Sequence, residues 1–83
     1  MYSIGWTRRA LKQLKRLPQQ RQKQIVMAVR VLRNWPDCKN VKALQNYPSY
    51  RLRVGRYRVL FDVENDLHII EIEEVKKRDE RTY

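Results

Sequence analysis

The chain has 83 residues, of which 42% are hydrophobic, so it can bury one modest core and is expected to form a single domain over residues 1–83. Nineteen Lys and Arg against nine Asp and Glu give a net charge of +10, which favours a polyanionic partner. No apolar stretch approaches the roughly 20 residues that a membrane-spanning helix needs, and no apolar segment typical of a signal peptide follows Met1. We therefore expect a cytoplasmic protein without a membrane partner.

Cysteine and histidine are scarce in this sequence. One cysteine, Cys38, cannot form an internal disulfide, and together with the single histidine, His68, it falls short of a structural zinc site. We expect neither a metal nor another cofactor. The stability of so small a domain must then come from its core or from a bound partner.

The first seventeen residues are predicted to form a strand followed by a helix. Met1 to Trp6 alternates larger apolar side chains with small ones at period two, which is typical of a strand. Thr7 is a favourable N-cap residue. From Thr7 to Leu17 apolar side chains recur three and four residues apart, and this spacing predicts an amphipathic helix whose remaining surface is basic.

A second and longer helix is predicted after Pro18, which ends the first one. Gln19 to Asn34 carries apolar residues at helical spacing on a wide, largely buried stripe. Trp35-Pro36 stops this helix, because proline disfavours helical geometry at the residue before it. The two helices are therefore predicted to form an antiparallel hairpin.

The rest of the chain changes in character. Cys38 to Ser49 has no clear period and is predicted to be a loop. Three runs rich in β-branched and aromatic residues follow, at Tyr50–Val54, Arg56–Val63 and Leu67–Val75, and they predict a meander of three antiparallel strands before a charged tail at residues 76–83. The order of elements predicts an α+β fold with the helices packed on one face of the sheet.

A tight turn at Gly55 and Arg56 fixes the register of the first strand pair. It sets Arg53 directly opposite Arg58, with Arg51 on the same face, while the alternate apolar residues point toward the helices. Like charges that face each other across two strands are unfavourable. An anion is therefore expected among these arginines.

Two sources of that anion remain open. A turn at residues 65–66 would put Glu73 opposite Arg58 and Glu71 beside Leu60, and the face would then be a salt-bridged surface of little energetic weight. The arginines outnumber these carboxylates, however, and further positive charge lies near the strand ends, at Arg56, Lys76, Lys77, Arg78 and Arg81. This excess favours a phosphate backbone, whose oxygens suit the planar guanidinium group.

The segment from Leu44 to Phe61 (LQNYPSYRLRVGRYRVLF), with Val75-Lys76-Lys77-Arg78 and Tyr83 downstream, resembles the RelE/ParE toxin superfamily. Residues 6–17 are similar to the first helix of that superfamily, so the resemblance spans nearly the whole chain. It implies a RelE-like microbial RNase fold and the toxin of a type II toxin–antitoxin system. In the RelE branch this is a metal-independent endoribonuclease, or mRNA interferase, that cleaves messenger RNA in the ribosomal A site and inhibits translation.

The resemblance also implies roles for individual residues. The expected catalytic residues are Arg51 and Arg53 before the tight turn, Arg58 after it, Arg78 after the last strand, and Tyr83, which supports the attacking hydroxyl. Arg56, Lys76, Lys77 and Arg81 are expected to bind RNA, and Arg81 is an alternative to Arg78. The sequence departs from the family pattern in having arginines where RelE favours lysines and in lacking a C-terminal histidine, so the general acid stays unassigned.

Two other functions remain open. ParE-like members of the superfamily inhibit DNA gyrase, and a noncatalytic nucleic-acid-binding module would need only the positive charge. The combination of the arginines with Tyr83 favours the nuclease. The expected partners are the ribosome, messenger RNA and an acidic, RelB-like antitoxin that neutralises the basic protein.

Overall fold

A computed structural model describes residues 1–45 and 49–77, in which two helices pack on one face of a five-stranded sheet. The described elements in chain order are β1 (Ser3–Trp6), α1 (Arg8–Lys15), α2 (Gln19–Arg30), a 3-10 helix (Val31–Asn34), β2 (Val41–Ala43), β3 (Tyr50–Val54), β4 (Tyr57–Glu64) and β5 (Ile69–Lys77). The predicted α+β class, the N-terminal strand, the helical hairpin and the final meander are confirmed. None of the helices in the described ranges has the length and apolarity needed to cross a membrane.

The start of α1 is tied to the sheet through its N-cap. The Thr7 hydroxyl oxygen accepts a hydrogen bond from the Ala10 amide at 3.1 Å, as the sequence predicted. The same hydroxyl donates to the carbonyl of Glu73 at 3.3 Å. Further along the helix, the side-chain carbonyl of Gln13 accepts from the Val75 amide at 2.7 Å. The helix therefore satisfies backbone groups of β5 beyond the point where β1 ends.

The second helix tightens before it stops. Its last turn, Val31–Asn34, is a 3-10 helix, a common ending for an α-helix. Ile25 and Val29 are buried as predicted, but Met27 and Val31 are 66% and 49% exposed, so the buried stripe is narrower than the sequence indicated.

The sheet has the order β1-β5-β4-β3-β2, with β1 parallel to β5 and the other pairs antiparallel. Strand β2 corrects a prediction, because Val41–Ala43 lies in the segment that was expected to be a loop. Val41 pairs with Leu52, and the Arg53 amide donates to the carbonyl of Asn40 at 2.9 Å. A strand of three residues is too short to show an alternating pattern, and here backbone pairing with β3 defines it.

The tight turn between β3 and β4 is the one that the sequence predicted. Gly55 has a φ of +56°, a left-handed conformation that glycine adopts without a steric penalty. Arg53 lies opposite Arg58, and Tyr50 lies opposite Phe61, in the expected register. The pairing of these two strands is confirmed.

The connection between β4 and β5 is longer than predicted. Glu64 pairs with Ile69, so residues 65–68 form the loop where a two-residue turn was expected. His68 ends this loop with a φ of +53° and is exposed. Its ring centroid lies 4.9 Å from that of Tyr2. A shift of two residues leaves every side chain on its original face. Ile70 and Ile72 therefore point toward the core, as predicted, although their partners in β4 differ.

A β-bulge in β5 shifts the pairing by one more residue. Phe61 pairs with Ile72, whereas its neighbour Leu60 pairs with Glu74. Glu73 is therefore the extra residue, with no partner in β4. The sequence carries a sign of this bulge, because two consecutive glutamates interrupt the apolar alternation of the strand. Because of the bulge, Lys76 lies on the same face of the sheet as Arg58, and Lys77 lies on the same face as Tyr57.

The core lies between the helices and the inner face of the sheet. The ring of Trp35 closes one end of it, 4.7 Å from the ring of Tyr50 and 5.6 Å from that of Phe61 between centroids. The opposite face of the sheet is left to polar and charged side chains. The buried hydrophobic residues are Ala10, Leu14, Ile25, Val29, Leu32, Leu52, Val54, Val59, Phe61, Ile70, Ile72 and Val75.

Candidate nucleic-acid interface

The face of the sheet that points away from the helices, called the outer face below, carries basic side chains from neighbouring strands. Directly paired residues share a face, so Arg53 of β3, Arg58 of β4 and Lys76 of β5 form one row across it. Lys42 of β2 pairs with Arg51 of β3 in a second row. These five residues are called the basic cluster.

The structure brings Arg51, Arg53 and Arg58 onto one face, as the strand pattern predicted. Arg53 is exposed, whereas Arg51 and Arg58 are half-buried. Half-burial restricts the motion of a long side chain and strengthens its electrostatic interactions relative to those in bulk water. The basic cluster is therefore a positively charged surface on which the side chains of Arg51 and Arg58 are restricted in their motion. The catalytic roles of Arg51, Arg53 and Arg58 stay predictions.

The carboxylates of β5 do not lie opposite the β4 residues that were expected to be their partners. Both expectations for β5 were wrong: Lys76, not Glu73, lies opposite Arg58, and Glu71 lies opposite Asp62 instead of beside Leu60. The physical reason is the longer loop together with the bulge, which move the register of β5 by three residues at the basic end.

Within residues 1–45 and 49–77, Glu74 contacts Lys76 of the basic cluster. Its Oε1 atom lies 2.9 Å from Nζ of Lys76 and 3.0 Å from Nη2 of Arg9 on α1. The Glu74 side chain is only 13% exposed, whereas that of Arg9 is 68% exposed. One negative charge is thus shared between two cations.

The remaining acidic residues of the outer face contact each other. Asp62 lies opposite Glu71, and the Ser49 hydroxyl donates a hydrogen bond to the Asp62 carboxylate. A hydrogen bond with Glu71, burial and the negative charge of Asp62 together raise the pKa of Glu73 from 4.5 to about 7. Asp62, Glu71 and Glu73 therefore form an acidic group on the outer face, apart from the row of Arg53, Arg58 and Lys76.

The bulge separates the two lysines that end β5. Lys76 pairs with Arg58 on the outer face, whereas Lys77 pairs with Tyr57, whose row faces the helix layer. Arg56 is exposed in the tight turn between the two faces. The predicted site residues Arg78, Arg81 and Tyr83 lie outside the described residues.

Sequence reasoning missed two basic residues near this surface. Lys42 joins the basic cluster only because β2 exists, and that strand gave no alternating pattern. Arg9 was assigned to the basic face of the first helix, and only the packing of α1 beside β5 reveals its contact with Glu74. Within residues 1–45 and 49–77, no group of three or more His, Cys, Asp or Glu is placed to hold a metal ion.

The fold and the outer face define a small α+β domain with a cationic sheet surface, and comparison with known proteins gives its family. A family model described as the ParE toxin of the type II toxin–antitoxin system parDE matches residues 4–82. The chain therefore belongs to this toxin family, within the RelE/ParE superfamily that its sequence resembles. No curated protein sequence gives a match.

Solved structures of RelE toxins share the fold. A chain of the RelBE2 toxin–antitoxin complex from Mycobacterium tuberculosis is 25% identical, with a TM-score of 0.82 over 93% of this chain and 98% of that chain. The RelE–RelB complex from Pyrococcus horikoshii OT3 gives 25% identity and a TM-score of 0.82 over 95% of this chain and 97% of that chain. The isolated RelE toxin of E. coli, at 18% identity, gives a TM-score of 0.81 over 95% and 86% of the two chains, and this similarity concerns the fold alone.

Proposed function

We propose that this toxin is an endoribonuclease that cleaves messenger RNA in the ribosomal A site and thereby inhibits translation. The observation that carries the proposal is the row of Arg53, Arg58 and Lys76 on the outer face. The strand register places three cations side by side in this row, with Arg51 in the next row. A phosphodiester group bound there would compensate the repulsion between the like charges.

The proposed reaction needs no metal. The ribose 2′-oxygen attacks the adjacent phosphorus, the bond from phosphorus to the 5′-oxygen breaks, and the products are a cyclic phosphate and a free 5′-hydroxyl. Negative charge builds up on the phosphorane, and arginines that are already in place stabilise it without reorganisation. Because a guanidinium group is a fixed cation with several N–H donors, Arg51, Arg53 and Arg58 act through charge and hydrogen bonds instead of proton transfer.

Proton transfer is assigned to the C-terminal part of the chain on the family resemblance. Tyr83 is proposed to support removal of the 2′-hydroxyl proton, and Arg78 to contact the phosphate. His68, a residue type often used for such steps, lies in the loop between β4 and β5 beside Tyr2, at the end of β4 opposite to Arg58. The proposal therefore gives His68 no catalytic role.

A site built from arginines and a tyrosine depends strongly on how the substrate is positioned. The ribosome holds messenger RNA in a fixed path, and correct orientation alone can supply several kcal/mol of the required rate enhancement. We propose that the toxin acts on ribosomes in the cytoplasm and has little activity on free RNA.

An antitoxin is the second proposed partner. The similar structures include complexes with RelB antitoxins, and this chain has a net charge of +10. An acidic, RelB-like antitoxin that covers the basic cluster would neutralise the charge and block access of RNA. Such a complex should weaken as the salt concentration rises, because screening acts on charge pairs at the surface.

Inhibition of DNA gyrase is the second candidate function, and the description of the matching family as ParE favours it. It shares the fold with the nuclease but does not require a phosphate site on the outer face. The basic row favours the nuclease, since a gyrase inhibitor would have no need to place Arg53 against Arg58.

One experiment separates these functions. The purified toxin is added to a cell-free translation reaction, and the 5′ ends of the messenger are mapped; in parallel, it is added to a gyrase supercoiling assay. New 5′ ends within codons of translated messenger are expected, and they should be absent when ribosomes are omitted. Intact messenger with blocked supercoiling would instead establish the gyrase inhibitor, and no effect in either assay would leave a nucleic-acid-binding module.

A further inference from the structure

Most of the net positive charge of the chain comes from its helical part, because acidic residues are absent there. Residues 1–36 contain nine Lys and Arg and no Asp or Glu, whereas residues 37–83 contain ten Lys and Arg against nine Asp and Glu. The region that forms β1 and the two helices thus supplies nearly all of the net charge. The helical layer is therefore a second source of attraction for a polyanion, beside the basic cluster on the outer face.

A pocket of about 520 Å³ lies where this basic helical layer meets the end of the sheet. It is called the turn pocket because the β3–β4 turn forms one of its walls. Its described lining contains three cations from separate parts of the chain and no carboxylate. The described lining residues are Arg21, Gln24, Gly55, Arg56, Tyr57 and Lys77.

The walls of the turn pocket are held close together. The Arg21 Nη1 atom donates a hydrogen bond to Oε1 of Gln24 at 3.2 Å, which orients its guanidinium group along α2. A Cβ atom added to Gly55 would lie 3.5 Å from Nε2 of Gln24, so the turn backbone approaches the helix to contact distance. Tyr57, which also lines the turn pocket, is half-buried.

We propose that the turn pocket binds a backbone phosphate of a single-stranded RNA through Arg21, Arg56 and Lys77. Two guanidinium groups and an ammonium group match the oxygens of a phosphate. The ring of Tyr57 offers a face on which a neighbouring base can stack. An acidic peptide fits less well, because peptide docking usually requires a desolvated apolar anchor site and this lining is mainly polar and charged.

The turn pocket and the basic cluster lie on opposite sides of one turn. The row of Val54, Tyr57 and Lys77 follows directly after the row of Arg53, Arg58 and Lys76, about 3.3 Å further along the strands. Alternate rows face opposite sides of the sheet, so an RNA strand that passes over Arg56 can contact both. This inference concerns binding alone and holds whether or not the chain cleaves RNA.

The test compares two double variants with the same change in charge. Arg21→Gln/Lys77→Gln removes two cations from the turn pocket, and Lys23→Gln/Lys39→Gln removes two exposed cations elsewhere. The probe is a fluorescent, fully 2′-O-methylated decauridylate, which cannot be cleaved through its 2′-oxygen. Affinity is measured by anisotropy between 50 and 200 mM NaCl, and circular dichroism verifies that both double variants are folded.

We expect the pocket variant to bind the probe about tenfold more weakly than the wild type, and the control variant less than about threefold more weakly. The slope of log affinity against log salt should fall by about 0.7 for the pocket variant, since one lost phosphate contact on a single strand contributes about 0.7. Equal losses in the two double variants, or no loss in either, would overturn the proposal. A pocket variant that keeps its RNA affinity but loses affinity for an acidic peptide would overturn it in favour of protein docking.

Discussion

Arg53 lies directly opposite Arg58 across the β3–β4 pair, and Lys76 of β5 extends the same row. Like charges that face each other on paired strands destabilise a sheet by a few tenths of a kcal/mol to about 1 kcal/mol. Such a row lowers the stability of the free protein to the extent that its repulsion is not offset, and a bound polyanion would offset it. This trade-off between stability and binding is the physical basis of the proposed function.

Replacing Arg53 should separate these two effects. We expect Arg53→Gln to raise the free energy of unfolding by about 0.5 kcal/mol at low salt, because it removes the like charge opposite Arg58. The gain should shrink in 0.5 M NaCl, where screening is strong. Urea denaturation measures the change, with Lys23→Gln as the matched control, and a clear loss of stability at low salt would contradict the repulsive pairing.

The Thr7 cap should contribute measurably to stability. Thr7→Ala removes the acceptor for the Ala10 amide and the donor to the Glu73 carbonyl. We expect a loss of about 1 kcal/mol, which corresponds to a decrease in Tm of about 4–8 °C for a domain of this size. Thr7→Ser keeps the hydroxyl and should lose much less, so equal decreases for the two variants would show that the hydroxyl is not responsible.

The same substitution at two leucines tests the assignment of the core. Leu32 is 0% exposed, whereas Leu67 in the β4–β5 loop is 68% exposed. We expect Leu32→Ala to lower the free energy of unfolding by about 2–5 kcal/mol and Leu67→Ala by no more than about 0.5 kcal/mol. Chemical denaturation gives both values. Similar losses at the two positions would place Leu67 in a core that the structure does not show.

The sequence predicted those parts of the fold that depend on local signals. The cap at Thr7, the stop at Pro36 and the glycine in the tight turn each act over a few residues, and each is present in the structure. The turn also fixed the pairing of Arg53 with Arg58, which is why the centre of the basic cluster could be predicted.

The errors lie where tertiary contacts override local pattern. Strand β2 exists because its backbone pairs with β3, and the β4–β5 register follows from a four-residue loop and the bulge at Glu73. The turn pocket could not be predicted either, since Arg21 and Lys77 are brought together only by the packing of α2 against the end of the sheet. The doublet Glu73-Glu74 was the one local sign of the bulge.

Ionisation of Glu73 should lower stability as the pH rises. In the folded protein the pKa of Glu73 is raised from 4.5 to about 7, so between these values the folded state binds more protons than the unfolded state. The contribution of protonated Glu73 to the free energy of unfolding is thus fully present below about pH 4.5 and is lost as the pH rises through 7. The glutamine variant cannot ionise and lacks this loss.

The measurement is the free energy of unfolding of the wild type and Glu73→Gln at pH 4.5 and pH 8. We expect the variant to gain stability relative to the wild type on going from pH 4.5 to pH 8, because repulsion from Asp62 and Glu71 disappears. Glu64→Gln, at the exposed end of β4, serves as the control. A pH-independent difference between wild type and Glu73→Gln would contradict the raised pKa.

The most direct test of the phosphate site is the rate of messenger cleavage by Arg58→Ala on programmed ribosomes, compared with the wild type and with Lys23→Ala. Arg58 pairs with Arg53 at the centre of the basic row, and removing one group that stabilises developing charge typically costs about a hundredfold or more in rate. We expect Arg58→Ala to cleave at least about tenfold more slowly while remaining folded, and Lys23→Ala to match the wild type. Cleavage by Arg58→Ala at the wild-type rate would contradict the account.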